Sequence, residues 1–467
     1  MATPRLVLYD DVFPSLRSGF RLAELGAYLD HFSESRVAIT NLSGPAALDA
    51  TLRDYRALRP EHDGRIAFFT GDLALSAQDF LYTIFLNNAY DLLALSEGKG
   101  VPFAFQVYPG GGFGFGNEES DWKLRCVLES PMFSFMVVTQ PAIRDYVTSR
   151  FGVPSDRLHL IGPGPVWTSP AASASPRRHL EHGKTTFDVG FIAHKYGNDT
   201  RSKGYDFFIS LAREVTNIGG HVRFHVVGNY GPDDHPLDGI EERITFHGSL
   251  DAVAFESTCR SFDVVVSPNV PSVLCQGAFD GFPTASCSQA ALAGAVVFAT
   301  DPLGLNSALV PGRDFLLLER DPRETRPTDV QRAAEILREL AGDPARLAEL
   351  SVQGTRAFEA LVGPEAQITP RLALMERALS GAFPPRAADA GAWRAAAAAA
   401  HRRSLRERAE IARLHAVIDG AKSYIAQKEQ NIADLLLELR RTEEARDYHR
   451  GQSELWEREC RRLQGRG

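Results

Sequence analysis

Two parallel α/β domains facing a cleft, followed by an α-helical coiled coil, are the fold class that this 467-residue sequence predicts. Three observations carry that reading. Short apolar runs alternate with amphipathic ones over residues 1–165, and strands alternating with helices make a parallel sheet. The alternation breaks at "GPGPVWTSPAASASPRRHLEHGK", where no periodicity survives, and restarts at "FDVGFIA". Past residue 394 it gives way to Pro-free sequence with an apolar repeat of seven.

The elements follow in order. "RLVLY" (5–9), "RVAI" (36–39), "IAFF" (66–69), "YTIFL" (82–86), "PFAFQVY" (102–108) and "FSFMVVT" (133–139) read as buried strands, with helical patterns such as "FRLAELGAYLDHF" and "AIRDYVTSRFG" between them. In the second half come "FDVGFIA", a helix over 204–216, "VRFHVVG", "ITFHG", a helix over 251–260, "FDVVVSP", a helix over 284–293, "AVVFA" and "DFLLL". Two helices close it, over 328–341 and 343–360. The domains expected are therefore 1–166, a linker 167–184, 185–380, a linker 381–393 and a helical tail 394–467. In the tail Ile411, Ile418, Ile425, Ile432 and Leu439 occupy successive a positions, with Leu414, Ala421 and Leu435 at d. That pattern predicts a coiled coil, in which Lys428 and Thr442 at d are weak points. A single long helix lying back on the body is the plainer alternative.

Composition narrows the function. Net charge is −8, with 36 Lys and Arg against 47 Asp and Glu in residues 1–400, which argues against a nucleic-acid-binding body. Five cysteines (126, 259, 275, 287, 460) form no CxxC and suggest a reducing cytoplasm. The start "MATPRLVLYDDVF" lacks a secretory pattern, and no run approaches 18 apolar residues, so a cytoplasmic protein with at most peripheral membrane contact is expected.

Three segments carry chemistry. In "HKYGNDTRSKGYDFF" a strand runs into a loop holding Lys195, Arg201 and Lys203 ahead of a helix N-terminus, which suits an anion. A solvated surface loop is the bland reading. "FPSLRSGFRLAELGAYL" repeats the plan near the first strand, and Gly19 would let backbone approach a phosphate. An ordinary βα turn explains it equally well. "YPGGGFGFGNEESDW" fits neither GxGxxG nor a P-loop and reads as a flexible rim of the cleft. The third chemical segment, "FDGFPTASCSQAALAGAVVFATD", sets Asp280, Gly281, Phe282 and Pro283 immediately before a small-residue helix, as a ligand at the helix start would require.

In order, "SGFRLAELGAYL", "MVVTQPAIRDYVTSRFGVPSDRLHLIGPGP", "TRSKGYDFFISLA", "FHVVGNYGP", "ITFHGSL", "FDVVVSPN", "DGFPTASCSQAALAGAVVFATD" and "PGRDFLLLERDP" resemble the retaining, nucleotide-sugar-dependent group 1 glycosyltransferases of the GT-B fold, whose two Rossmann-like domains face a cleft. The resemblance covers about residues 5–375 and is most specific in the second half. It implies that Asp280 contacts the transferred sugar, with Gly281 and Phe282 shaping that turn. It also implies that the amides of Thr284 and Ala285 hold the diphosphate, that Gln289 stands at the ribose, and that Lys195 and Lys203 are the phosphate-binding pair. Two departures accompany it: Gln replaces an acid at 289, and eight residues instead of seven separate it from Asp280. The histidine often found in the first domain is absent from "FQVYPGGGF". No metal is expected, since no DxD and no ligand-spaced His/Cys/Asp cluster occurs, and the nucleotide-sugar would be substrate and not cofactor.

The expected activity is hexosyl transfer, with retention, from a nucleotide-sugar to a glycan, lipid-linked or protein acceptor in bacterial-type surface polysaccharide synthesis. The expected partners are that donor and acceptor, with self-association or a partner helix through the tail and no nucleic acid. The alternatives are an inactive scaffold assembled by its coiled coil, favoured by Gln289, and an epimerase, for which no paired acids are found.

Overall fold

The computed structural model describes residues 4–40, 45–69, 73–168, 184–216, 221–319 and 329–385, together with scattered positions between 428 and 465. The chain divides into two compact units, residues 1–398 and 399–467.

The first sheet comprises β1 (Leu6–Asp10), β2 (Arg36–Ile39), β3 (Ile66–Phe68), β4 (Phe80–Ile84), β5 (Phe103–Val107), β6 (Phe133–Val138) and β7 (Leu158–Leu160), in spatial order 3-2-1-4-5-6-7. Every pairing is parallel: Leu8, for example, lies opposite Val37 on one side and Tyr82 on the other. Such strands are covered on both faces, which is why β1, β4, β5 and β6 are buried at every position and mostly apolar without alternation. The crossovers are α1 (Gly19–His31), α2 (Pro45–Leu58), α3 (Leu86–Lys99), α4 (Glu118–Glu129) and α5 (Pro141–Phe151).

The second sheet holds β8 (Phe187–Ile192), β9 (Val222–Val227), β10 (Ile244–Gly248), β11 (Val264–Ser267), β12 (Val296–Ala299) and β13 (Leu316–Leu317), again all parallel, in order 10-9-8-11-12-13. Its helices are α6 (Tyr205–Thr216), α7 (Ala252–Cys259), α8 (Ala285–Leu292), α9 (Val330–Gly342) and α10 (Pro344–Val362). In each sheet the strand order reverses beside the first strand, β1/β4 and β8/β11. Crevices outside the carboxyl ends of strands at such switch points are where open α/β sheets bind ligands.

One boundary needs correction. The last helix, α11 (Pro364–Leu379), falls within the 185–380 domain expected from the sequence, yet it packs on the first. Leu374, Met375, Ala378 and Phe383 complete the core around Leu6, Leu25, Tyr82 and Phe135. The polar anchor is Arg371, fully buried, whose guanidinium bonds the Gln106 amide oxygen at 2.9 Å and the Ile161 carbonyl at 2.9 Å. It lies 3.6 Å from Glu24, whose carboxylate accepts from Tyr28, Tyr82, Gln106 and Tyr108. A buried cation is tolerable because a carboxylate and carbonyls surround it. Burial, with Glu24 adding to it, pushes the three phenols well above their usual range, so they stay protonated donors. Gln367 completes the clasp, taking the Gly164 amide and donating to the Gly162 carbonyl, so α11 also holds the strand leading out of the first domain.

In the tail, Ile411, Leu414, Ile418, Ala421 and Ile425 lie outside the described residues, as does 169–183 of the first linker and 386–393 of the second. Lys428, Ile432, Leu435, Leu439 and Thr442 are helical and exposed. Among the described residues no helix is long and apolar enough to cross a membrane.

Candidate functional site

A cavity of about 500 Å³ lies between the carboxyl ends of the two sheets. Its second-domain wall is the start of α8. Thr284 is the N-cap: its hydroxyl accepts from the Cys287 amide at 3.2 Å and lies 3.0 Å from the Ser286 hydroxyl. That cap satisfies one of the free amides of the first turn, and leaves Ala285 and Ser286 at the helix end facing the cavity.

Before the cap, Asp280 and Gly281 line the same wall. Lys203, from the loop ahead of α6, reaches it and holds the Asp280 carboxylate at 2.6 Å. Burial alone would lower the Lys203 ammonium, but the Asp280 charge outweighs it and raises the group above its usual value, so Lys203 remains a cation. Two signs of charge thus stand side by side at the mouth of a helix dipole.

Of the residues singled out in the sequence, the cavity brings together Gly19, Lys203, Asp280, Gly281, Thr284, Ala285 and Gln289. Three others do not line it. Lys195 turns to Asp234, 2.5 Å from its carboxylate, while its own amide donates to Asn229. Arg201 is exposed, its amide bonded to Asp199. Phe282 is buried against Phe315 with ring centroids 4.9 Å apart. Gly19 opens α1, and its close protein neighbour is the Gln289 amide: a Cβ there would sit 3.1 Å from Gln289 Nε2. Gln289 itself donates to the Trp167 carbonyl at 3.1 Å.

The first-domain wall was not legible. Phe20 at the start of α1, Phe85 after β4 and Tyr108 after β5 pack in a triangle with centroids 5.0, 5.9 and 5.8 Å apart. Phe85 has φ +78°, a region costly for a bulky residue, and two features hold it there. The Arg21 guanidinium lies about 5 Å from the Phe20 and Phe85 rings while paired to Asp10 and Asp11. Gly111 leaves room for the Phe85 ring, which would be 2.2 Å from a Cβ. The loop that follows Tyr108 is anchored instead of free: the Phe115 amide donates to Gly277, and its ring stacks on Phe279 at 4.6 Å. Arg17, Gln140, His194 and Asp251 also line the cavity, and only its assembly from many separate loops reveals them.

Among the described residues one group could share a cation, Asp30, Glu61 and His62. It lies off this cavity, and Arg59 already bonds Asp30 and Glu61.

Comparison with known proteins bears on this geometry. The chain's fold is similar to that of Anabaena Alr3699/HepE, solved with UDP, at 16% identity and TM-score 0.56, covering 81% of this chain and 100% of that one. HepE has also been solved with UDP and glucose and with UDP-glucose. Sucrose-phosphate synthase from Thermosynechococcus elongatus is similar at 17% identity and TM-score 0.51, with coverage of 81% and 100%. A glycosyltransferase from Rickettsia africae gives 10%, 0.54, 81% and 99%. No curated protein sequence matches the chain. Residues 186–339 match the family model "Glycosyl transferases group 1", and the two parallel sheets have the fold of the GT-B glycosyltransferases.

Proposed function

We propose that this protein is a retaining glycosyltransferase that moves a hexose from a nucleoside diphosphate to a glycan, lipid-linked or protein acceptor in bacterial-type surface polysaccharide synthesis. The observation that carries the reading is the Lys203–Asp280 pair set against the open start of α8. The group 1 match across 186–339 and the likeness to a protein solved with UDP support it.

Scission of the sugar–phosphate bond places negative charge on the departing diphosphate. The Ala285 and Ser286 amides and the Lys203 ammonium would meet that charge as it develops, which is where fixed dipoles and cations lower a barrier most. They would do the work a divalent cation does elsewhere, with no cofactor in the scheme. Asp280, acceptor-only when ionised, would orient the sugar through its hydroxyls. The acceptor hydroxyl would attack from the face the diphosphate leaves and pass its proton to a phosphate oxygen, so no enzyme nucleophile is needed. The first domain would hold the acceptor. A cytoplasmic protein, self-associated through the tail, completes the reading.

Thermal melting with UDP-, GDP-, ADP- and dTDP-sugars tests it: a true donor at a hundred times its Kd stabilises by about 2.7 kcal/mol. Absence of any shift across the panel would sink the proposal. Gln289 favours a second reading, a scaffold without turnover, because its amide is spent on Trp167 and brings no charge to a ribose. Nucleotide binding without hydrolysis or transfer of the sugar would select it.

A further inference from the structure

Gln140 stands two residues after β6 and is the N-cap of α5, a position where a short side chain normally accepts from the helix. Its side chain makes no such bond; only its backbone carbonyl takes the Ile143 and Arg144 amides. The carboxamide instead crosses from the first domain to the second. A Cβ on Gly281 would fall 2.8 Å from Gln140 Nε2 and 3.1 Å from Pro109, so glycine at 281 is what lets the amide lie beside Asp280. Gln140 is 2% exposed, and among the described residues its carboxamide has no hydrogen-bond partner. Gln140 lines the main cavity and also a second one of about 240 Å³ behind it, forming part of the wall between them.

We propose that the Gln140 carboxamide hydrogen-bonds a hydroxyl of the transferred hexose, so that the first domain reads the sugar that Asp280 reads from the second. This rests on the nucleotide-sugar reading above. The chemistry favours a hydroxyl over a phosphate: an amide offers both a donor and an acceptor, as a sugar hydroxyl does, whereas a phosphate is met by cations or clustered amides. The geometry favours the sugar, because Gln140 adjoins the Asp280–Gly281 turn and not the α8 amides that would face the diphosphate.

The test is calorimetry on full-length protein with UDP, GDP, ADP and dTDP and with their glucose, galactose and N-acetylglucosamine conjugates. In the wild type the best conjugate should bind more tightly than its free diphosphate. Gln140→Met, similar in size but without the amide, should leave the free diphosphate within about twofold and weaken the conjugate about tenfold. Should that variant bind neither, Gln140→Glu, which keeps the acceptor, must restore diphosphate binding with a weakened conjugate. An unchanged conjugate-to-diphosphate ratio in Gln140→Met overturns the proposal and leaves the amide to an ordered water. So does a wild type that gains nothing from any hexose. A wild type that binds no nucleoside diphosphate at all overturns the nucleotide-sugar reading itself.

Discussion

The two walls of the cavity are built by opposite means. The charge chemistry of the second-domain wall is local: Asp280 through Gln289 supply its turn, cap and helix, Lys203 joins them from the loop ahead of α6, and His194 and Asp251 extend the lining. The first-domain wall is aromatic and dispersed, with Phe20, Phe85 and Tyr108 brought together from three βα loops and clamped by Arg21. The lesson is that charge chemistry at a helix end can be written in one short segment. A shaped apolar surface needs the whole sheet to assemble it.

Removing the cation should separate the walls most sharply. Lys203→Ala is expected to lower transfer about 10²–10³-fold and weaken nucleotide diphosphate binding, with the melting temperature nearly kept. Asp280→Ala should abolish transfer yet leave free nucleotide diphosphate bound. Equal loss of both in Asp280→Ala, read by calorimetry, would make the turn structural and erase the contrast. On the other wall Gly111→Ala drives a Cβ into Phe85 at a φ of +55°, and should cost about 2 kcal/mol of stability by chemical denaturation. Acceptor KM should rise while nucleotide affinity holds; a nucleotide defect would mean the walls are one unit.

A narrower effect, on stability alone, is expected within the second sheet. Burial would raise the Asp188 carboxyl, but hydrogen bonds from His225, Lys184 and Thr186 bring it down to about 2. A depressed carboxyl stabilises the fold above the unfolded value near 4, and that contribution fades as pH falls through about 2. Asp188→Asn should therefore cost about 2 kcal/mol at pH 7 and less towards pH 2, with nucleotide affinity unchanged. Denaturation curves that show the same penalty at both pH values would reject this account. Smallest of all, deleting 394–467 should leave nucleotide affinity unaltered and convert an oligomer to a monomer. Light scattering that finds the intact protein monomeric would refute self-association.

The sheets were legible because parallel strands buried on both faces are continuous apolar runs, and "FDVVVSP" and "AVVFA" can be little else. The Asp280 segment was legible for its turn residues set before a small-residue helix. A cation in an anion-suited loop reads the same whether it faces the cavity, as Lys203 does, or pairs with Asp234, as Lys195 does. The Gly110–Gly116 loop looked free because only the fold supplies its docking partner, Phe279. Helix α11 escaped notice for a local reason. Pro364 and Pro370 suggest interruption, yet the first is near N1, where no amide is missed, and the second is tolerated inside the helix.

The return of the chain in α11 has a consequence for how the protein can be divided. Residues 1–166, though contiguous and complete as a sheet, lack Leu374, Met375, Ala378 and Phe383 from their core and the Arg371 counter-charge for Glu24. A gene fragment ending at 166 encodes an unfinished domain with a buried carboxylate and an uncovered apolar face. Swapping donor domains among relatives at the first linker alone would leave every chimera with a foreign clasp. Exchange has to cut twice, once near 166 and again near 363, so that the last helix travels with the sheet it closes.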